Sequence, residues 1–392
     1  MSDAYVVAAV RTPVARAFKG GFRNFRPDDL LAHALKAALA EVPELDPARV
    51  EDVIVGCAMP EAEQGMNVAR IGLLLAGMPD NVPGVTVNRF CSSGLQTVAM
   101  AADRIRLGEA DVMIAAGTET MSMVPMMGHK VAMNPKAFSD ENVAIAYGMG
   151  ITAEKVARKW QVSREDQDQF AYHSHQKAIA AIDGGEFTEI RPVTVTSRVP
   201  AADGTIQVRE TVVDTDEGPR RDTTPEALGK LRTVFDARGS VTAGTSSQMS
   251  DGAGALILVS ERVVKELNLK PLAVFRGFSV AGVPAEIMGI GPIEAIPRVL
   301  KQTGISKNDL DWIELNEAFA AQALAVMRTV ELDPGKVNPL GGAIALGHPL
   351  GATGAILAAK LIHGLQRRQQ RYGMVTMCIG TGMGAAGIFE RV

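Results

Sequence analysis

The chain reads as an α/β protein made of two similar halves, and three features lead to that reading. Short β-branched apolar runs alternate with stretches of helical periodicity toward both ends of the chain. A local pattern recurs: Val87-Asn88 precedes a helix beginning near Cys91, and Val337-Asn338 precedes a glycine-rich loop and a helix beginning near Gly351. Each of those helices is followed by a strand ending in glycine, at Gly117 and Gly380. A repeat of this kind points to internal duplication. With 392 residues the chain is long enough for a large core divided among two or three lobes.

Taken in order, residues 6–10, 50–55, 85–87 and 112–116 are predicted strands, rich in Val and Ile. Residues 30–39, 66–75 and 91–107 are the helices between them. The last of these is apolar nearly all round (Leu95, Val98, Ala99, Ile105) and stops at Gly108, so it belongs in the interior with its first turn deep in the protein. A second set of elements follows at 272–275, 293–300, 312–315, 318–327, 353–362 and 374–379. Between the sets the character changes. Residues 121–133 are rich in Met, which suits an adaptable apolar surface. Residues 152–160 and 164–182 are charged amphipathic helices, the second capped by Ser163 and stopped by Gly184-Gly185. Residues 191–218 alternate Val and Thr as a small hairpin. This gives an N-terminal half at 1–119, completed by 246–269, an inserted lobe at 120–245, and a C-terminal half at 270–392.

The composition excludes several classes of function. A net charge of −4 with no long Lys/Arg run argues against nucleic acid. Three cysteines (Cys57, Cys91, Cys378) without CxxC spacing make neither a disulfide framework nor a zinc site, and they suit a reducing compartment. The start of the chain has no basic n-region and reads as a first strand. No apolar run reaches the roughly 20 residues of a membrane span. A cytoplasmic protein is expected.

Chemistry concentrates at a few positions. Cys91 sits where a strand breaks into a helix. Unpaired backbone N–H groups there favour negative charge, so its thiol is expected to ionise more readily than a free one. A core cysteine is the alternative. Cys57, at a strand end without polar neighbours in sequence, reads as core. His348, framed by glycines in 341–351, is a candidate general base. His173 and His175 lie two apart on a helix and hence on different faces; they read as surface residues, not metal ligands. Asn316, at a strand-to-helix junction, is either an N-cap or a group that holds water or polarises a carbonyl. Cys378 ends an apolar strand. Gly382-Met383-Gly384-Ala385-Ala386-Gly387 matches a dinucleotide fingerprint, but only five residues follow it, too few for the required helix and strand. Those glycines, with Gly380, are better suited to exposing N–H groups for an oxyanion hole.

Four segments together resemble the thiolase family, in its degradative 3-ketoacyl-CoA branch: Asn88-Arg89-Phe90-Cys91-Ser92-Ser93-Gly94-Leu95-Gln96, Asn316-Glu317-Ala318-Phe319, Gly341 through His348-Pro349, and Cys378-Ile379-Gly380-Thr381-Gly382. The resemblance covers essentially the whole chain. It implies duplicated α/β halves layered αβαβα with an inserted loop lobe, and thiolytic cleavage of 3-ketoacyl-CoA by CoA through an acyl-cysteine, as in fatty-acid β-oxidation. It implies Cys91 as nucleophile, His348 as its base, a water held by Asn316 at the enolate oxygen, and Cys378 as the acid/base at the α-carbon. The N–H groups of Cys91 and Gly380 would form a second oxyanion hole.

The same resemblance implies coenzyme A as substrate, with no prosthetic group and no metal. Ser247, Ala243 and Gly244 would contact the pantetheine, Leu231 and Phe235 would flank the adenine, and Arg220 would approach the phosphates. Met149, Met288 and Phe319 would line the acyl channel. Gly148-Met149 stands where short-chain members carry His-Met, and Cys91-Ser92-Ser93-Gly94 where they tend to read Cys-Gly-Ser-Gly. Both favour the broad-chain branch over a short-chain acetoacetyl-CoA enzyme. A homodimer or homotetramer is expected. The rivals are a condensing enzyme acting on an acyl carrier protein and a non-catalytic acyl-CoA carrier.

Overall fold

The computed structural model describes residues 3–200 and 203–392. Met1 and Ser2, at the head of the expected first strand, and Ala201 and Ala202, within the expected hairpin, lie outside the described residues. The first half contains strands β1 (Ala4–Arg11), β2 (Ala15–Arg16), β3 (Asp52–Gly56), β4 (Gly84–Val87) and β5 (Val112–Thr120) with helices α1 (Pro27–Ala40), α2 (Val68–Leu75) and α3 (Ser93–Arg106). The insert carries α4 (Met149–Lys159), α5 (Arg164–Asp183), the hairpin β6 (Val193–Pro200) and β7 (Ile206–Val213), and α6 (Pro225–Gly229). Then come β8 (Ser250–Ser260), α7 (Glu261–Glu266), β9 (Ala273–Gly282), α8 (Gly291–Thr303), β10 (Leu310–Leu315), α9 (Ala320–Val330), α10 (Ala343–Leu346), α11 (Thr353–Arg368), β11 (Tyr372–Ile379) and β12 (Met383–Arg391).

The two halves share one strand plan. In the first, β1 pairs antiparallel with β8, β8 antiparallel with β5, and β5 parallel with β3, which is parallel to β4. In the second, β9 pairs antiparallel with β12, β12 antiparallel with β11, and β11 parallel with β10. Ile313 of β10 then makes a parallel bridge to Val337, in the place that β4 holds in the first half. Two residue pairs, Tyr5 with Val274 and Val6 with Ala273, join the halves edge to edge.

Alternation along the strands sends side chains into different cores. Val53, Val55, Ile114 and Ile257 pack outward under Leu30, Leu31 and Leu35 of α1. Their neighbours Ile54, Met113, Leu256 and Leu258 point inward, into a core shared with Leu95 and Ile105 of α3, Leu361 and Ile362 of α11, and Phe275, Trp312 and Val375 of the second half. On the far side Ile296 and Val299 of α8 and Val326 of α9 cover Ile313, Met374 and Ile388. The result is five layers, with α3 and α11 in the middle. Strands covered on both faces explain the unbroken apolar runs.

The middle helices touch backbone to backbone. A Cβ on Gly354 would stand 2.1 Å from Leu95 N, and one on Gly94 2.7 Å from Ala355 N, so no larger residue fits at either crossing. Lys360 of α11 is fully buried there. Its Nζ donates to Glu314 Oε2 (2.9 Å) and to the Gly341 carbonyl (2.6 Å), which ties the loop leading to His348 to the middle layer. Breaking such a buried pair by removing one partner costs about 3–5 kcal/mol.

Several element starts differ from expectation by a few residues, and three of them do so for clear local reasons. Met66 has a positive φ of 55° and Asn67 caps the helix, so α2 begins at Val68. Phe319 is extended and forms the N-cap of α9, which leaves Asn316 in the loop before the helix and not at its cap. Cys91 lies in a 3-10 turn, Phe90–Ser92, and the α-helix begins at Ser93.

Candidate active site

The Cys91 turn, the end of β11 and the loop after His348 meet at the floor of a mostly apolar cavity of about 480 Å³. Its lining includes Cys91, Phe90, Gly380, Leu350, Gly148 and Met149, with Met126, Met127 and Met133 from the Met-rich segment. The backbone N–H groups of Gly380 and of Cys91 itself face the Cys91 sulfur. They do not make the resting thiol acidic. Burial pushes it up to about 11, against the expectation of easy ionisation. Stripping water from an anion outweighs what two N–H donors return, and the buried carboxylate of Glu119 adds to the rise.

His348 is buried, and loss of water holds it down to about 4, so the imidazole is neutral at physiological pH. Its Nδ1 lies 2.7 Å from Thr353 Oγ1 and its Nε2 lies 3.4 Å from Asn316 Nδ2. With the Asn316 amide so placed, its N–H donates to Nε2. The ring proton then sits on Nδ1, and Nε2 carries the basic lone pair. Asn316 Oδ1 is buried with no hydrogen-bond partner among the described residues, an acceptor free to hold a water or a substrate atom. Cys378, also buried, packs with Met149, Met288, Ala318 and Phe319. Burial and then the neighbouring Cys91 hold its thiol strongly in the protonated form.

A second cavity, of about 210 Å³, opens against the insert. Arg220, Leu231, Ala243 and Gly244 line it, together with Ser246, where the sequence pointed to Ser247. The Ser247 N–H donates to the Ala318 carbonyl (2.9 Å), one residue from Phe319. Phe235 packs edge-on against Phe319, with ring centroids 6.0 Å apart, and seats against Gly150. Of the basic residues nearby, Arg221 is committed to Asp183 (2.9 Å), while Arg220 faces the cavity. Met149 lines the Cys91 cavity, whereas Met288 and Phe319 lie in the wall around Cys378.

Two readings of single residues are corrected. His175 is buried, not on the surface: its Nδ1 accepts from the Arg220 N–H (3.1 Å), and burial beside Arg220 and Arg16 brings it down to about 4. Cys57 is a core cysteine but has polar company, with Gln64 Nε2 at 3.5 Å and Glu119 Oε1 at 3.9 Å. Glu119 was missed altogether. It accepts from Gln64 Nε2 (2.6 Å), the Ala58 N–H (2.8 Å) and the Gly351 N–H (2.8 Å), and so clamps the cavity floor to the loop after His348. A lone carboxylate closing a strand buried on both faces was the available signal, because such a charge needs partners. Thr353, the partner of His348, was missed as well. Among the described residues no group of three or more His, Cys, Asp or Glu side chains could hold a metal ion.

Comparison with known proteins agrees with this architecture. Residues 4–262 match the model of the thiolase N-terminal domain and residues 269–391 that of the thiolase C-terminal domain. A 3-ketoacyl-CoA thiolase of Bacillus subtilis is 51% identical over 391 residues, covering 100% of both chains. A peroxisomal 3-ketoacyl-CoA thiolase A of Mus musculus is 46% identical, over 99% of this chain and 91% of that one. Among solved structures, an acetyl-CoA acetyltransferase of Bacillus anthracis superposes with a TM-score of 0.90 at 38% identity, covering 100% of this chain and 99% of that one. Human mitochondrial 3-ketoacyl-CoA thiolase gives 0.88 at 39%, with the same coverage. The chain belongs to the thiolase family.

Proposed function

We propose that the protein is a 3-ketoacyl-CoA thiolase, an acyltransferase that cleaves 3-ketoacyl-CoA with CoA into acetyl-CoA and a shortened acyl-CoA. One observation carries the reading: a thiol on the floor of an apolar cavity, faced by two backbone donors and accompanied by a second buried thiol. The full-length likeness to named 3-ketoacyl-CoA thiolases supports the same assignment.

In this mechanism the long Asn316 contact to His348 Nε2 (3.4 Å) is released, and Nε2 takes the Cys91 proton as the sulfur attacks the 3-keto carbon. The Cys91 and Gly380 N–H groups receive the charge on the tetrahedral oxygen; a donor so placed is worth about 10²–10³ in rate. Collapse breaks the C2–C3 bond and expels the enolate of acetyl-CoA. His348, now protonated, and the group held by Asn316 stabilise the enolate oxygen, and the Cys378 thiol gives its proton to C2. The Cys378 thiolate then accepts the proton of incoming CoA, whose sulfur attacks acyl-Cys91; the acyl–sulfur bond breaks, the shortened acyl-CoA is released, and the departing Cys91 sulfur takes back the proton held by His348. The raised thiols fit this sequence in one respect: both keep their protons in the resting site, so Cys91 ionises only as His348 takes its proton and Cys378 still holds the proton that C2 needs.

The finer features belong to the same proposal. The 210 Å³ cavity with Arg220, Leu231, Ala243 and Gly244 is the coenzyme A cradle. Ser247 and Phe235 are not in its lining but lie against Ala318 and Phe319, toward the Cys378 wall, and would meet the ligand there. Residues 120–245 form the lobe that carries it, set between the halves at 1–119 with 246–269 and at 270–392. The protein works in the cytoplasm as a homo-oligomer in fatty-acid β-oxidation, with no prosthetic group. The likeness to an acetyl-CoA acetyltransferase keeps one second reading in play, a short-chain acetoacetyl-CoA enzyme. Thiolysis rates with free CoA across 3-ketoacyl-CoA substrates of rising length separate the two. Higher kcat/KM for medium or long chains supports the proposal, activity confined to acetoacetyl-CoA supports the second reading, and no turnover with any of them rejects both.

A further inference from the structure

The residue before the nucleophile is held in a conformation it would not choose. Phe90 has a φ of 43°, in the left-handed region, where a bulky aromatic residue is strained. Side chains clamp both ends of its backbone. Asn88 Oδ1 accepts from the Phe90 N–H (2.8 Å), while Asn88 Nδ2 donates to the Ala58 carbonyl (3.0 Å). Ser93 Oγ donates to the Phe90 carbonyl (2.7 Å) and accepts from the Arg89 N–H (2.8 Å). Ser93 is fully buried, and Gly56 makes room for it: a Cβ there would lie 2.8 Å from the Ser93 Cβ.

The Phe90 carbonyl and the Cys91 N–H belong to one planar peptide group. A bond that fixes the carbonyl therefore fixes the direction of the N–H on its other side. That N–H is one of the two donors facing the Cys91 sulfur. Ser93 is not the N-cap of α3, which is Ser92; it closes the 3-10 turn, so the Phe90 carbonyl accepts from the Ser93 N–H as well as from its hydroxyl, and the hydroxyl is the second tether on that carbonyl. We propose that Ser93 is a positioning residue for acyl transfer: its hydroxyl, through the Phe90 carbonyl, aims the Cys91 N–H at the oxyanion. The inference rests on the reading of Cys91 as the acylated nucleophile. It predicts a division of effects, because oxyanion stabilisation matters when Cys91 attacks a thioester or ketone carbonyl. Alkylation by iodoacetamide at a saturated carbon passes through no oxyanion.

The test mixes enzyme with 3-ketoacyl-CoA and follows acyl-Cys91 by intact-protein mass, beside the rate of iodoacetamide alkylation at the same residue. Ser93→Ala is expected to slow acylation about ten- to hundredfold, a loosened donor costing less than a deleted one. Alkylation should slow by less than about threefold, and the substrate concentration for half-maximal acylation should stay within about twofold, because the aim of one N–H acts on the transition state. Ser93→Gly, which removes the same hydroxyl, serves as the second variant should Ser93→Ala fold poorly, and the same division is expected of it. Acylation at the wild-type rate, or acylation and alkylation slowed equally, overturns the proposal. Failure of the wild-type enzyme to form acyl-Cys91 overturns instead the functional reading beneath it.

Discussion

The His348 imidazole and the Thr353 hydroxyl lie 2.7 Å apart, both buried, where the glycine-rich loop turns into the first residue of α11. Thr353 thus anchors the imidazole ring of the base from the helix that also forms the centre of the fold. Catalysis and the middle layer are anchored at one residue.

Thr353→Val should lower kcat about tenfold, the cost of one buried hydrogen bond, while Thr353→Ser retains most activity. Steady-state thiolysis of one substrate by both variants checks this. Equal loss in both would mean that the hydroxyl is not the operative group.

The resting Cys91 thiol, raised to about 11, should react slowly with iodoacetamide at neutral pH. The inactivation rate of free enzyme is expected to climb about tenfold per pH unit between 7 and 10, following the thiolate fraction. A plateau already reached at pH 8 would show a thiol of ordinary or lowered acidity.

His175 and His348 both stay neutral in the fold down to about 4, whereas an unfolded chain protonates them near 6.5. Above 6.5 neither state gains from the difference. As pH falls from 6.5 toward 4 the unfolded chain takes up protons that the fold refuses, so stability drops, by about 1.4 kcal/mol per pH unit for each histidine. His175→Gln should therefore flatten the pH dependence of urea stability across that window relative to wild type. Parallel curves for the two proteins would contradict the assignment.

Nothing stands within 4 Å of where a Cβ on Gly148 would lie, and Gly148 lines the Cys91 cavity. Gly148→Leu should fold normally and fill part of the cavity. Thiolysis of long-chain 3-ketoacyl-CoA should fall at least tenfold, a few lost methylene contacts at about 0.8 kcal/mol each, with acetoacetyl-CoA nearly unaffected. Equal effects on both substrates would place the acyl chain elsewhere.

Gly354→Ala puts a methyl group 2.1 Å from Leu95 N at the crossing of α3 and α11. Backbone cannot yield as a side-chain tip can, so a loss of about 3 kcal/mol in urea unfolding is expected. A loss below about 1 kcal/mol would mean that the two helices are free to separate.

Much of this was legible in the sequence because it is local. The all-apolar helix from Cys91 and the unbroken strand at 112–116 announced an interior layer, and the Ser163 cap and the glycines at 108 and 184–185 placed the ends of the central helix and α5. Cys91, His348, Asn316 and Cys378 stood out by their polar, glycine-rich settings. Thr353, Glu119 and Gln64 did not, because their roles depend on partners brought together from different elements. Glu119 meets Gly351 from 232 positions away.

The alternation of apolar residues, the repeated Val-Asn before each central helix and the thiols at element ends were determined by the sequence itself, since periodicity and turn chemistry act over a few neighbours. The acidity of those thiols was decided only by the tertiary structure. A helix terminus, read locally, suggests an easily ionised Cys91; packing then removes the water that would solvate its charge, and that loss is the larger effect. The neutrality of His348 and His175 has the same origin. Desolvation depends on everything that surrounds a group, and what surrounds each of these three comes from segments far away along the chain.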